Sequence, residues 1–281
     1  MKAILTLFFI LFLLKPLSAI DKKYLNIIII ADLSDRNLRD KNNLPKFPVD
    51  YDQAVIDEVL KIFKENVRKN LYIASKDRIT FISLPENDKV FSSYGINESA
   101  LNINISEIDI RSRRTKLNEY ILSFSMNIKK VYSATINEKT IGADIWSFFK
   151  YDLEKLLIEG PNFRNVIILL SDGYLYFNKE YKKNRMSSVN GATFMNVSQK
   201  HYPLSKSIDP IKLLPIGKNF TSTEILLAGI DPIIKYSDQE FAFIHNCWAE
   251  WFDSMKIKYE IVKLNKSKPT IAATVEKFFN K

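Results

Sequence analysis

The isoleucine run Ile27–Ile30, inside NIIIIADLSDR at 26–36, constrains the fold more than any other stretch. Four consecutive β-branched residues with no polar face read as a short strand buried on both sides. The run ends abruptly in Asp32, Ser34, Asp35 and Arg36. Ligands of open α/β sheets bind beyond the carboxyl ends of the strands, so this acidic and hydroxylic cluster is the first candidate site.

Amphipathic helices alternate with further strands. Ile56, Leu60, Phe63 and Val67 fall on one face of a helix. RITFISL, Arg78 to Leu84, reads as a second strand, and LNINISEIDI at 101–110 alternates like an edge strand or hairpin arm. Thr115 to Tyr132 reads as an irregular helix. Trp146, Phe149, Leu153 and Leu156 then predict a helix that stops at Gly160 and Pro161. NVIILL, Asn165 to Leu170, repeats the design of the first strand and ends in Ser171, Asp172 and Gly173, a second acidic strand end.

Residues 174–224 are polar, basic and aperiodic and read as a surface excursion. ILLAGI at 225–230 returns to buried-strand character and ends at Asp231 and Pro232. A helix follows with Phe241, Ile244, Trp248, Phe252 and Met255 on one face, then a strand at Lys258–Leu264 and a helix at Thr270–Phe279. Such alternation predicts an α/β fold: a doubly wound, mostly parallel six-stranded Rossmann-like sheet with helices on both faces. In the common order 3-2-1-4-5-6 the first and fourth strands are neighbours, so Asp32 and Asp172 are expected to face one crevice.

The chain starts MKAILTLFFILFLLKPLSA, with Lys2, an apolar run from Ala3 to Leu14, and small residues Ser18 and Ala19. That is the organisation of a secretory signal peptide at 1–19, leaving 20–281 as a single domain. The run is short for a bilayer span, so the expected protein is exported, periplasmic or extracellular, with no membrane span after removal of the signal. Cys247 is the single cysteine, which excludes an internal disulfide. It lies among apolar residues of a helix and reads as a small buried hydrophobe. The formal charge is +9, with basic runs at 111–116, 179–185 and 256–268. No nucleic-acid motif accompanies them, so they read as solvated surface and no nucleic acid is expected as a partner.

Three segments together resemble the von Willebrand factor type A domain: DLSDR at 32–36, TIGAD at 140–144 and LLSDG at 169–173. The resemblance covers most of residues 20–281. It implies a divalent cation, usually magnesium, at the carboxyl end of the sheet. Carried over position by position, the implied metal residues are Asp32, Ser34, Thr140 and Asp172. The family's second serine is replaced by Arg36, a cation with no oxygen to offer a metal. Magnesium held by the remaining oxygens and by water is one outcome. The Arg36 guanidinium pairing with Asp32 or Asp172 in place of the ion is the other. Asp35 and Asp144 either modify the site or face water. The ordinary reading of the same residues is a loop cap at Asp32, a helix cap at Thr140 and a turn at Asp172.

The resemblance implies a protein-binding module for adhesion or assembly, in which an acidic side chain of the partner completes the metal's coordination. A metal-dependent phosphoester hydrolase using Asp32 is the alternative from another class. Ser34 weakens it, because the haloacid-dehalogenase-like motif has an acidic residue there. His201 and His245 are not spaced as a ligand pair, and no Gly-rich phosphate loop or Gly-x-Ser-x-Gly elbow occurs. A third reading is a metal-free scaffold subunit in which Arg36 replaces the ion.

Overall fold

The computed structural model describes residues 23–33, 48–84, 88–135, 143–174, 186–187, 212–232, 238–265 and 267–281. The expected signal peptide, Ser34, Asp35, Arg36, Thr140, His201 and most of 174–224 lie outside these residues.

Strands β1 (Tyr24–Asp32), β2 (Arg78–Leu84), β3 (Asn102–Asn104), β4 (Phe163–Leu170), β7 (Thr223–Ile230) and β8 (Lys258–Lys263) form a six-stranded sheet in the order β3-β2-β1-β4-β7-β8. A separate two-stranded ribbon pairs β5 (Met186–Ser187) with β6 (Lys212–Leu213). All main-sheet pairings are parallel except β2 with β3. The expected α/β architecture is therefore present, and β1 lies beside β4 at the reversal of strand order.

Alternation along β1 explains its inner position. Ile27, Ile29 and Ala31 enter one core, while Ile28 and Ile30 enter the other. The first core is covered by α1 (Pro48–Lys69), α3 (Arg113–Thr135) and α7 (Lys268–Phe279), through Phe63, Phe124 and Phe278 among others. The second is covered by α4 (Ile145–Tyr151) and α6 (Asp238–Ser254), where Phe149, Trp248, Trp251 and Phe252 pack ring against ring. Cys247 is buried in this second core, as a small hydrophobe should be. No helix among the described residues is long and apolar enough to cross a membrane.

Three local departures from the pattern have physical reasons. Within 101–110 only three residues pair as a strand, because Asn97 and Asn104 accept from the amides of Ser99 and Ser106 and start short 3-10 turns on either side. The helix expected to run from Trp146 past Leu156 breaks at Asp152 into α4 and α5 (Leu153–Leu156). Asp152 is a weak helix-interior residue and makes no side-chain bond that caps α5. Within the expected surface excursion, Leu213, Ile216 and Phe220 are buried in the second core. The remaining helix, α2 (Asp88–Ser93), is short and lies between β2 and β3 in sequence.

The two ends of the sheet differ in chemistry. At the amino end, polar side chains are consumed by the scaffold. Asn26 and Asn165 bond to each other and to the backbone of Leu156 and Ile158. The Arg164 guanidinium forks onto Glu224 and also donates to the Phe278 and Phe279 carbonyls. At the carboxyl end, Asp32 closes β1, and Asp172 and Asp231 follow β4 and β7.

Candidate functional site at the carboxyl end of the sheet

Parallel pairing in register, Ala31 opposite Leu170, delivers Asp32 and Ser171 side by side at the ends of β1 and β4. The Ser171 hydroxyl donates to Asp32 Oδ2 at 3.1 Å and accepts from the Gly173 amide at 3.1 Å. Asp32 is only 3% exposed, and Ser171 is fully buried. One carboxylate thus lies at the floor of the strand ends, oriented by a hydroxyl from the neighbouring strand.

Asp172 is partly exposed. Its Oδ1 accepts from the Tyr174 amide at 2.9 Å, an Asx turn, and its carbonyl accepts from the Asp231 amide at 3.1 Å. Asp231 is exposed and follows β7, so an aspartate stands at or within two residues of the end of each of three adjacent strands, β1, β4 and β7. Asp144 caps α4 by accepting from the Ser147 amide at 3.0 Å, and so serves a helix end. Asp144 is the N-cap of α4, and Thr140 lies outside the described residues.

The 171–174 turn is held from below by Trp248, which the sequence places only on an apolar helix face, and by Glu240, which it does not single out. Gly173 has φ +90°, and its carbonyl accepts from Trp248 Nε1 at 2.9 Å. The Tyr174 hydroxyl reaches Glu240 Oε1 at 2.6 Å, and Glu240 is fully buried in the first turn of α6. A buried Glu next to a tyrosine is a tertiary relationship with no signature in sequence spacing. Tyr174→Phe removes a donor from a buried carboxylate and should cost about 2 kcal/mol, read as a lower urea midpoint with an unchanged slope.

Of the implied metal residues, Asp32 and Asp172 occupy adjacent strand ends, and Ser34 and Thr140 lie outside the described residues. Carboxylate and hydroxyl oxygens suit a hard cation such as magnesium. Asp32 and Asp172 already accept hydrogen bonds from Ser171 and Tyr174, so the fit is to carboxylates acting through water in an outer shell. A groove of about 540 Å³ lies between the first three turns of α1 and the start of α7, lined by Asp50, Asp57, Glu58 and Lys268 among others. Asp32 and Asp172 do not line it. No family model, curated protein or solved structure matches this chain.

Proposed function

We propose that the chain is an exported binding module that engages a protein partner at the carboxyl end of its sheet, through a site of the von Willebrand factor type A kind. The observation that carries this reading is the pairing of Asp32 with the Ser171–Gly173 turn across two adjacent inner strands. In the proposed site Asp32, Ser34, Thr140 and Asp172 hold magnesium, and an acidic side chain of the partner approaches the ion. The metal supplies the positive charge for that recognition; the protein residues fix its place.

A second reading is favoured by the hydrogen bonds that Asp32 and Asp172 already receive inside the protein. In it, Arg36 supplies the positive charge and the module works without an ion. Both readings share the surface and the class of partner.

Calorimetric titration of magnesium and manganese into the exported protein separates them. Heat of binding that Asp172→Ala abolishes is the expected result for the ion-dependent site. An Arg36→Ser variant should then bind the ion more tightly, since a fixed cation is replaced by a hydroxyl. Absence of heat in both wild type and Arg36→Ser, with folded protein, would overturn the metal site and leave the ion-free module. Phosphoester turnover that Asp32→Ala abolishes would overturn the binding-module reading altogether.

A further inference from the structure

At the amino end of the sheet, opposite the site just described, the segment between α1 and β2 holds apolar side chains outward. Leu71 is 66% exposed and Ile73 is 63% exposed. Leu71 and Tyr72 have φ of 57° and 51°, in the left-handed region that disfavours residues with a Cβ. A tight turn, in which the Ile73 amide bonds back to the Leu71 carbonyl, accompanies this conformation.

Arg113 braces the turn from beneath. Its guanidinium donates to the carbonyls of Tyr72, Ile73 and Ser75, and also to those of Ser106 and Ile108. One buried cation therefore ties two loops together at the same end of the sheet. The second loop carries Ile110, which is 49% exposed. Single exposed aliphatic residues are ordinary, but three brought to one end by a shared buried arginine form a built feature.

The charges around them are mostly of one sign. Arg68 and Lys69 end α1, Lys76 follows the turn, and Arg111 and Arg114 follow Ile110; all five are exposed. Glu107 and Asp109 are the exposed acids of the second loop. Aliphatic tips on a braced turn, flanked by excess cations, match the boundary of an anionic bilayer. The aliphatics reach the acyl region and the cations meet the headgroups.

We propose that the amino end of the sheet docks on an anionic lipid surface through Leu71, Ile73 and Ile110, with Arg68, Arg111 and Arg114 at the headgroups. This contact is independent of the carboxyl-end site, and it leaves that site facing away from the bilayer.

Vesicle flotation of the exported protein tests the contact, with phosphatidylcholine alone and with phosphatidylcholine mixed with phosphatidylglycerol. The wild type should float with the mixed vesicles only, and less so as salt rises. Leu71→Asn with Ile73→Ser keeps a residue that tolerates the left-handed region at 71 and should weaken flotation about tenfold. Arg111→Glu with Arg114→Glu alters only exposed side chains and should weaken it by at least about tenfold. No flotation of the wild type, or undiminished flotation of either double variant, overturns the inference. Variant-sensitive retention on a polyglutamate matrix without flotation also overturns it, by assigning the patch to an acidic protein.

Discussion

Gly173→Ala is expected to lower stability by about 3–5 kcal/mol, through left-handed backbone strain and overpacking together. A Cβ at this position would lie 2.5 Å from Ile230 Cδ1 and 2.8 Å from Ile244 Cγ2. Both isoleucines are fully buried in the second core, with neighbours that limit retreat. The backbone φ of +90° adds a cost that any L side chain meets. Gly95 is the matched control: it has φ +64° but nothing within 4 Å of a built Cβ. Gly95→Ala should cost only about 1 kcal/mol. Equal losses at the two positions, in urea midpoints at constant slope, would show that backbone strain alone decides and that the crowding is easily relieved.

The same substitution should reach the candidate site. The Gly173 amide donates to Ser171 Oγ, Ser171 donates to Asp32, and the Gly173 carbonyl is held by Trp248. Displacing the glycine peptide therefore displaces the hydroxyl that orients Asp32. Any metal or partner binding at the carboxyl end should weaken by more than the fraction of unfolded protein accounts for.

Asp77→Ala should cost a similar amount, about 3–5 kcal/mol, with no direct effect on the candidate site. Asp77 is fully buried at the amino end of the sheet. Its Oδ1 accepts from the Leu25 amide at 2.7 Å and from Asn66 Nδ2 at 2.6 Å. Its Oδ2 accepts from Asn70 Nδ2 at 3.1 Å and from the Ser75 hydroxyl. One carboxylate thus joins the start of β1, the end of α1 and the turn before β2. Alanine would leave several buried donors without an acceptor, whereas Asp77→Asn should be milder because it retains one carbonyl oxygen. A midpoint for Asp77→Ala within measurement error of wild type would mean that water replaces the carboxylate.

The surface tie between α1 and α7 behaves differently. Hydrogen bonding to Lys61 holds Glu276 below its ordinary carboxylate range. Whatever stability this contributes is present above the unfolded carboxylate pKa and fades as pH falls through the lowered value. Both groups are solvent-facing, so the effect is small beside that of Asp77.

The sheet was legible from residues alone because burial on both faces demands unbroken apolar runs. NIIII, NVIILL and ILLAGI leave no other economical arrangement, and the helical spacing of Ile56, Leu60, Phe63 and Val67 supplies one covering layer. The neighbouring positions of Asp32 and Asp172 followed from strand order, a rule about chain topology rather than about either residue. Local polar competition was harder to read. Asn104 cut the edge strand short by a side-chain bond to the backbone, and Asp152, a poor helix-interior residue, stands at the break of a helix; periodicity weighs neither.

By itself, then, the amino-acid order determined the long strands of the main sheet, which faces of the helices are apolar, and that aspartates stand at or just after the ends of β1, β4 and β7. Those properties depend on near neighbours and on alternation. Only the tertiary structure decided that Ser171 orients Asp32, that Trp248 and Glu240 hold the turn beside it, and that Arg113 braces two loops at the far end. Each of these contacts joins residues brought together by folding, and hydrogen-bond geometry over a few ångströms has no counterpart in sequence spacing.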